Sequence, residues 1–324
     1  MDAPLPLGVR FLRAVTSRAP LFSIADMDER TLARVQATDL PSGPLVHALL
    51  GRPRRDVRIR LWSFAGPGGR IPVRVYTPLA PSRRPRPLVL GLHGGGFALG
   101  SAQQGDWFNT RVAAGVGAVV VAPNYRLAPT HRFPAAVDDA WAALQWAVAN
   151  EGEFKADASR LAVMGDSAGG TLAAVLALMA RDAGGPRIRH QALLYPAADM
   201  TDAMLEQESA VRNTAPIVLS NEDLRVFRDH YVAAGTDLTD WRLSPAHARD
   251  HGGLPPATVV LAGRDPLRDS GASYAHTLAD AGVEVRVEEF HRMPHGFLTF
   301  PYLCRDAVPA TRAVVAALDA ALNG

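Results

Sequence analysis

Among 324 residues the chain has one lysine, Lys155, and one cysteine, Cys304. The first scarcity removes several chemistries. A phosphate-binding P-loop needs Gly-Lys-Ser/Thr, and Lys155 stands between Phe154 and Ala156. A Ser-x-x-Lys acylase needs a serine three residues before the lysine, and that position is Gly152. Schiff-base chemistry would have to use Lys155 itself, which lies in a polar, charged stretch. The second scarcity excludes an intrachain disulfide. Cys304 reads as a small buried apolar residue.

Long hydrophobic runs are also missing. The longest uncharged apolar stretches, 112–123 and 168–180, are too short to span a bilayer. The start of the chain lacks the basic segment, apolar core and small-residue cleavage site of a signal peptide. A cytoplasmic protein without stable membrane insertion is expected. Net charge is only +2, and the basic cluster Arg83, Arg84 and Arg86 is interleaved with Pro81, Pro85 and Pro87. That pattern is a solvated loop, and no nucleic-acid partner is expected.

What is present is a globular balance, 48% apolar and 20% charged, enough for one large core or a core with a small cap. Strand-like runs occupy 57–64, 71–76, 87–93, 117–123, 160–165, 189–195, 257–262 and 283–290. The first two flank Gly66-Pro67-Gly68-Gly69, a hairpin turn. Helical spacing marks 134–150, 168–182, 269–281 and 306–322. Such alternation predicts an α/β fold: a mostly parallel eight-stranded sheet, helices on both faces, and sites at the carboxyl ends of the strands. Residues 1–50 and 198–250 break the alternation and are candidates for a cap.

Two glycine-containing motifs carry the chemistry. Gly165-Asp166-Ser167-Ala168-Gly169-Gly170 follows a strand and opens a helix. A sharp strand-turn-helix needs small neighbours around the serine, and the helix N-terminus places a positive dipole beside it. Gly-x-Ser-x-Gly alone arises by chance in roughly one such chain in ten, so it decides little. His93-Gly94-Gly95-Gly96, also at a strand end, arises in well under about one chain in a hundred. With the serine motif it reads as half of an oxyanion hole, the backbone N–H groups of Gly94, Gly95 and Ala168 converging on one oxygen. Such donors are typically worth ~10²–10³ in rate each.

A serine nucleophile needs a base, and the base an orienting carboxylate, in the chain order Ser, Asp, His for this architecture. Asp265 stands at a strand's carboxyl end before Pro266; Asp269, about one turn later, is the rival. His295, in Met293-Pro294-His295-Gly296-Phe297, follows the eighth strand, with His291 as runner-up. His93 is assigned to holding its loop. His247 and His251 have metal-pair spacing, but no Glu follows the first, so no metal is expected. Phe97, Trp107, Phe108 and Met200 are candidate pocket walls, with Phe227, Tyr231, Phe297 and Leu298; they fall in loops near the motifs or in the cap candidates.

Taken with Asn124-Tyr125-Arg126-Leu127-Ala128-Pro129, Phe133-Pro134-Ala135-Ala136, Asp138 and Leu194-Tyr195-Pro196, these motifs resemble the hormone-sensitive-lipase-like group of α/β-hydrolases, the bacterial family IV esterases. The match covers about residues 70–320. The resemblance implies an α/β-hydrolase fold and a Ser167–Asp265–His295 triad. It also implies a cap from 1–50 and part of 198–235 on a catalytic domain of 51–324. Such enzymes hydrolyse short- to medium-chain carboxylic esters without metal or cofactor, and many form homodimers. An amidase or deacetylase using the same triad is the alternative, as is a non-catalytic small-molecule-binding relative. One departure is Thr130, where the group usually has Glu, which puts an ion pair near the site in question.

Overall fold

The computed structural model describes residues 4–16, 23–38, 40, 43–213 and 217–324. Its sheet begins with a hairpin, β1 (Val57–Gly66) and β2 (Gly69–Pro78), paired antiparallel from Val57 opposite Pro78 to Gly66 opposite Gly69. The remaining strands are β3 (Arg86–Leu92), β4 (Val119–Pro123), β5 (Ala156–Asp166), β6 (Ile188–Leu194), β7 (Ala257–Arg264) and β8 (Val285–Pro294). Their spatial order is β1-β2-β4-β3-β5-β6-β7-β8, eight strands in one sheet. From β4 to β8 every pairing is parallel, and β2 joins β4 antiparallel.

The central strands are apolar on both faces because both faces are covered. Leu88, Leu90, Val121 and Val163 point into one core, with α5 (Ala135–Ala149), α7 (Ala168–Asp182) and α11 (Arg268–Asp280). Their neighbours Val89, Val120, Ala162 and Met164 point into the other, with α4 (Asp106–Val116) and α12 (Ala307–Asn323). Helix α4 was not anticipated. Its apolar residues surround the whole helix, so no single stripe marks it in the sequence. It carries Trp107 and Phe108, which therefore lie on a helix and not in a loop. Strand β8 runs four residues further than its apolar pattern suggests, and so contains His291.

The order of the strands locates the site. β4 lies on one side of β3 and β5 on the other. The chain thus leaves the carboxyl ends of β3 and β5 in opposite directions, and a crevice opens where these loops separate. The glycine loop follows β3 and Ser167 follows β5.

Two further groups of helices come from the segments that break the strand–helix alternation. The amino-terminal part holds α1 (Leu7–Thr16), α2 (Glu29–Ala37) and α3 (Pro44–Leu50). The long β6–β7 connection holds α8 (Asp202–Leu205), α9 (Glu208–Arg212) and α10 (Asn221–Tyr231). The two parts are tied by Asp223, which accepts hydrogen bonds from Ser23 Oγ at 2.6 Å and Ala25 N–H at 3.3 Å. The same carboxylate closes a capping box with Ser220 at the start of α10. Among the described residues, no helix is long and apolar enough to cross a membrane.

Arg126, beyond β4, is held by the fully buried Asp139 of α5. Its Nε donates at 2.8 Å, Nη2 at 2.7 Å and its backbone N–H at 2.9 Å. Thr130, the departure from the usual Glu, is exposed on a turn and takes no part in this pair. Removing the cation while leaving the buried carboxylate is the costly half of such a pair. Arg126→Ala should therefore cost about 3–5 kcal/mol, read as a lower urea midpoint. An unchanged midpoint would show that Asp139 finds other compensation.

Candidate active site

Ser167 sits at the junction of β5 and α7 with φ 54° and ψ −121°, a conformation few non-glycine residues adopt. The strain is imposed by what surrounds it. A Cβ on Gly165 would lie 2.1 Å from the Gly169 carbonyl oxygen, and one on Gly169 would lie 2.1 Å from that of Leu92. Glycine at both positions lets α7 start directly against the end of β3. The turn holds the hydroxyl out toward the crevice, at the N-terminus of a long buried helix.

Ser167 Oγ is 2.8 Å from His295 Nε2. His295 Nδ1 is 2.7 Å from Asp265 Oδ2. A carboxylate can only accept, so Nδ1 carries the proton and Nε2 is left to accept from the serine. Asp265 is 0% exposed and its other oxygen accepts the Leu267 N–H at 2.8 Å. His295 is 6% exposed and is followed by Gly296 at φ 67°, the left-handed residue that turns the chain after β8. The two rival residues lie elsewhere. Asp269 is in the first turn of α11, where it accepts the Ser209 N–H and pairs with Arg268. The His291 side chain is 80% exposed and faces Glu289.

The glycine loop corrects one expectation. The Gly94 N–H donates to Asp166 Oδ1 at 3.0 Å, so it does not face the serine. Its carbonyl accepts from Gln104 Nε2 at 3.1 Å and faces His93 Nδ1 at 2.8 Å. With the Gly94 peptide held on both sides, the next residues turn into the crevice. Gly95, Gly96 and Ala168 border the cavity beside Ser167. Gly95 has φ 123° and Gly96 φ 58°, and the Gly95 carbonyl accepts from Ala98 and Leu99 N–H, closing the loop on itself. The missed signal was Asp166: a carboxylate before the serine can reach back to the first amide of the loop.

The cavity holds about 260 Å³. It is walled by Met200, Met204, Leu205, Leu219, Leu224 and Phe227 on the β6–β7 connection, with Ile24, Phe97 and Leu267. Of the expected walls, Phe97, Met200 and Phe227 border it. The other five do not. Trp107 lies under the Arg111 guanidinium at 4.0 Å. Tyr231 stacks behind Phe97 at 3.9 Å. Phe297 is fully buried against Tyr195, and Phe108 and Leu298 line a smaller chamber behind the serine. Leu224 was legible with Phe227 as an i, i+3 pair on one face of α10.

Of the histidines with metal-pair spacing, His247 Nε2 faces Asp199 while His251 Nε2 faces the Pro245 carbonyl. Among the described residues no group of His, Cys, Asp and Glu is arranged to hold a metal. The arrangement is a hydroxyl, an imidazole and a buried carboxylate in one hydrogen-bonded run. It ends beside backbone N–H groups at the wall of an apolar cavity, which suits attack on an uncharged carbonyl compound.

Comparison with known proteins agrees. Residues 89–299 match a family described by the alpha/beta hydrolase fold. The chain is 38% identical to Esterase LipI of Mycobacterium tuberculosis over 98% of its own length and 95% of that protein's. It is 43% identical to Carboxylesterase NlhH of the same organism over 78% and 79%. Its fold is similar to a hyperthermophilic esterase of the archaeon Pyrobaculum calidifontis (TM-score 0.86, 34% identity, 99% of each chain). It is also similar to an ester-hydrolase from the metagenome of Lake Arreo complexed with a bipyridine phosphonate derivative (TM-score 0.89, 34% identity, 99% and 100%).

Burial raises the Asp166 carboxyl to about 6, against the lowering effects of the Gly94 N–H and of His295. A carboxyl raised above its unfolded value favours the fold below that value, and this advantage is lost as pH rises through about 6. Asp166→Asn keeps an acceptor for Gly94 and removes the ionisation. The variant should gain thermal stability relative to the native chain on going from pH 4 to pH 7. Parallel pH profiles of the two melting temperatures would show that Asp166 does not ionise in this window.

Proposed function

The chain belongs to the α/β-hydrolase family, in its hormone-sensitive-lipase-like branch, and from that premise we infer that it is a serine carboxylesterase acting on short- to medium-chain esters. The reading is supported above all by the unbroken hydrogen-bonded run Ser167–His295–Asp265 at the wall of the apolar cavity. His295 Nε2 takes the Ser167 proton as Oγ adds to the ester carbonyl carbon. The oxyanion is met by the N–H groups of Gly95, Gly96 and Ala168. Protonated His295 then protonates the leaving alcohol, and water cleaves the acyl-enzyme by the same route. Asp265 holds the tautomer and stabilises the imidazolium.

In this proposal α1 to α3 and α8 to α10 form the cap, and the acyl chain lies among Met200, Leu219 and Phe227. Apolar walls hold an acyl chain by its buried area, so binding strengthens with chain length until the cavity is full. A homodimer is also proposed, its pairing surface being the open edge of β8, where Val287 is 46% exposed; sedimentation tests it. A cytoplasmic location is proposed with it, and cell fractionation tests that.

Ser167→Ala should abolish hydrolysis of p-nitrophenyl butyrate with the circular-dichroism spectrum unchanged. Retained turnover in that variant would sink the assignment. Asp265→Asn should lower kcat by roughly 10⁴, by analogy with the serine-protease case. Asp269→Asn should leave kcat near native, because its partners are Ser209 and Arg268. The reverse result would move the orienting role to Asp269.

A further inference from the structure

The glycine loop is held in shape largely from outside itself. Gly96 and Phe97 follow one another at φ 58° and φ 61°, two left-handed residues in succession. Glycine adopts that conformation freely. Phenylalanine does so only where its surroundings over-determine it. Within the loop the restraint is slight: the Gly95 carbonyl accepts from Ala98 and Leu99 N–H. The other contacts come from helices far away in the chain.

Helix α10 carries Asp223, Phe227 and Tyr231 at a spacing of four, and so on one side. Phe227 lies against Gly96, where a Cβ would meet its ring at 2.2 Å. Tyr231 stacks on the Phe97 ring at 3.9 Å, the two planes 6° apart. Both residues of that stack are buried. Tyr231 is itself fixed, its carbonyl accepting the Phe133 N–H at 2.8 Å. From α2, Gln36 Nε2 donates at 2.7 Å to the Ala98 carbonyl and at 2.7 Å to that of Ala128. Gly96, Phe97 and Ala98 are thus each met from outside, by Phe227, Tyr231 and Gln36. Asp223 joins the two sources, since it also accepts from Ser23 and Ala25 of the amino-terminal part.

These contacts bear on the segment to which the oxyanion is assigned. If Phe97 relaxed to an ordinary negative φ, the chain before it would swing relative to the chain after it. The Gly95 and Gly96 N–H groups would then change direction. Donors stabilise an oxyanion only where they are aimed before it forms.

We propose that α2 and α10 hold the glycine loop in its anion-binding shape, with Gln36, Phe227 and Tyr231 as positioning residues. They act through Ala98, Gly96 and Phe97. The proposal rests on the serine-esterase reading, in which Gly95 and Gly96 N–H meet the oxyanion. The two helices then do more than shape the cavity. With them displaced, Ser167 and His295 remain paired while the developing charge goes unmatched. The loss therefore falls on the transition state and not on the bound ester.

Tyr231→Leu removes the stack, and Tyr231→Phe keeps it. The Tyr231 hydroxyl has no hydrogen-bond partner among the described residues, so the ring carries the contact. Butylboronic acid adds to a serine Oγ as a tetrahedral anion, and its Ki reports the oxyanion site. In Tyr231→Leu, kcat for p-nitrophenyl butyrate should fall about tenfold and the boronate Ki rise about tenfold, with KM within about twofold of native. Tyr231→Phe should restore both values. Gln36→Ala, at a partly buried site, should move both by about threefold, and it is the variant read where Tyr231→Leu does not fold. Val314→Ala truncates the core on the opposite face of the sheet from Phe97. It should lower the melting temperature and leave kcat and Ki native, which separates positioning from general destabilisation. Native kcat and Ki in Tyr231→Leu and Gln36→Ala would overturn the proposal. So would a rise in KM alone, or equal losses in Tyr231→Phe and Tyr231→Leu. A native enzyme that neither turns over the ester nor binds the boronate would instead remove the serine-esterase reading.

Discussion

Helix α7 begins against the end of β3 more closely than any side chain would allow. A Cβ on Gly169 would lie 2.1 Å from the Leu92 carbonyl oxygen, and one on Gly165 would lie 2.1 Å from that of Gly169. That approach puts Ser167 into its strained turn and brings Asp166 within hydrogen-bond reach of Gly94. It also sets the glycine loop beside the serine, because both emerge at the point where the strand order diverges. The tightness of one strand-turn-helix junction is therefore the condition for the strained serine, the folded glycine loop and their mutual distance.

The rest of the site depends on burial. Asp265 has no contact with solvent and is matched by the Leu267 N–H and the His295 ring, so its negative charge acts on the imidazole with little screening. Gly94 shows the same economy in the backbone. Its N–H and carbonyl are both engaged, by Asp166 and Gln104, and this orients the two glycines that follow. Methionine, leucine and phenylalanine from the β6–β7 connection line the large cavity beside it.

Much of this was legible because local rules act on few residues. The eight strands follow from apolar runs, and the serine, aspartate and histidine follow from their places after strands, since loops at strand ends carry reactive groups. Pocket walls were harder. Phe297 and Leu298 lie two and three residues after His295 yet point away from the cavity, while Met204 and Leu205 border it. A buried aromatic in a core and one in a pocket look alike in sequence, because burial in either needs the same side chain. Helix α4 escaped for a related reason: most of it is buried, and its apolar residues are spread around the helix instead of forming one stripe with a clear period.

The sequence by itself determined the eight strands in chain order, the serine elbow and the glycine loop, and it singled out Asp265 and His295 as the expected partners of the serine. Each of these depends on residue type at a short spacing. The tertiary structure alone decided that the Gly94 N–H is taken up by Asp166, which side chains wall the large cavity, and that a smaller chamber lies behind Ser167. These depend on distances between segments far apart in the chain, such as the 72 residues between Gly94 and Asp166, and only packing sets those distances.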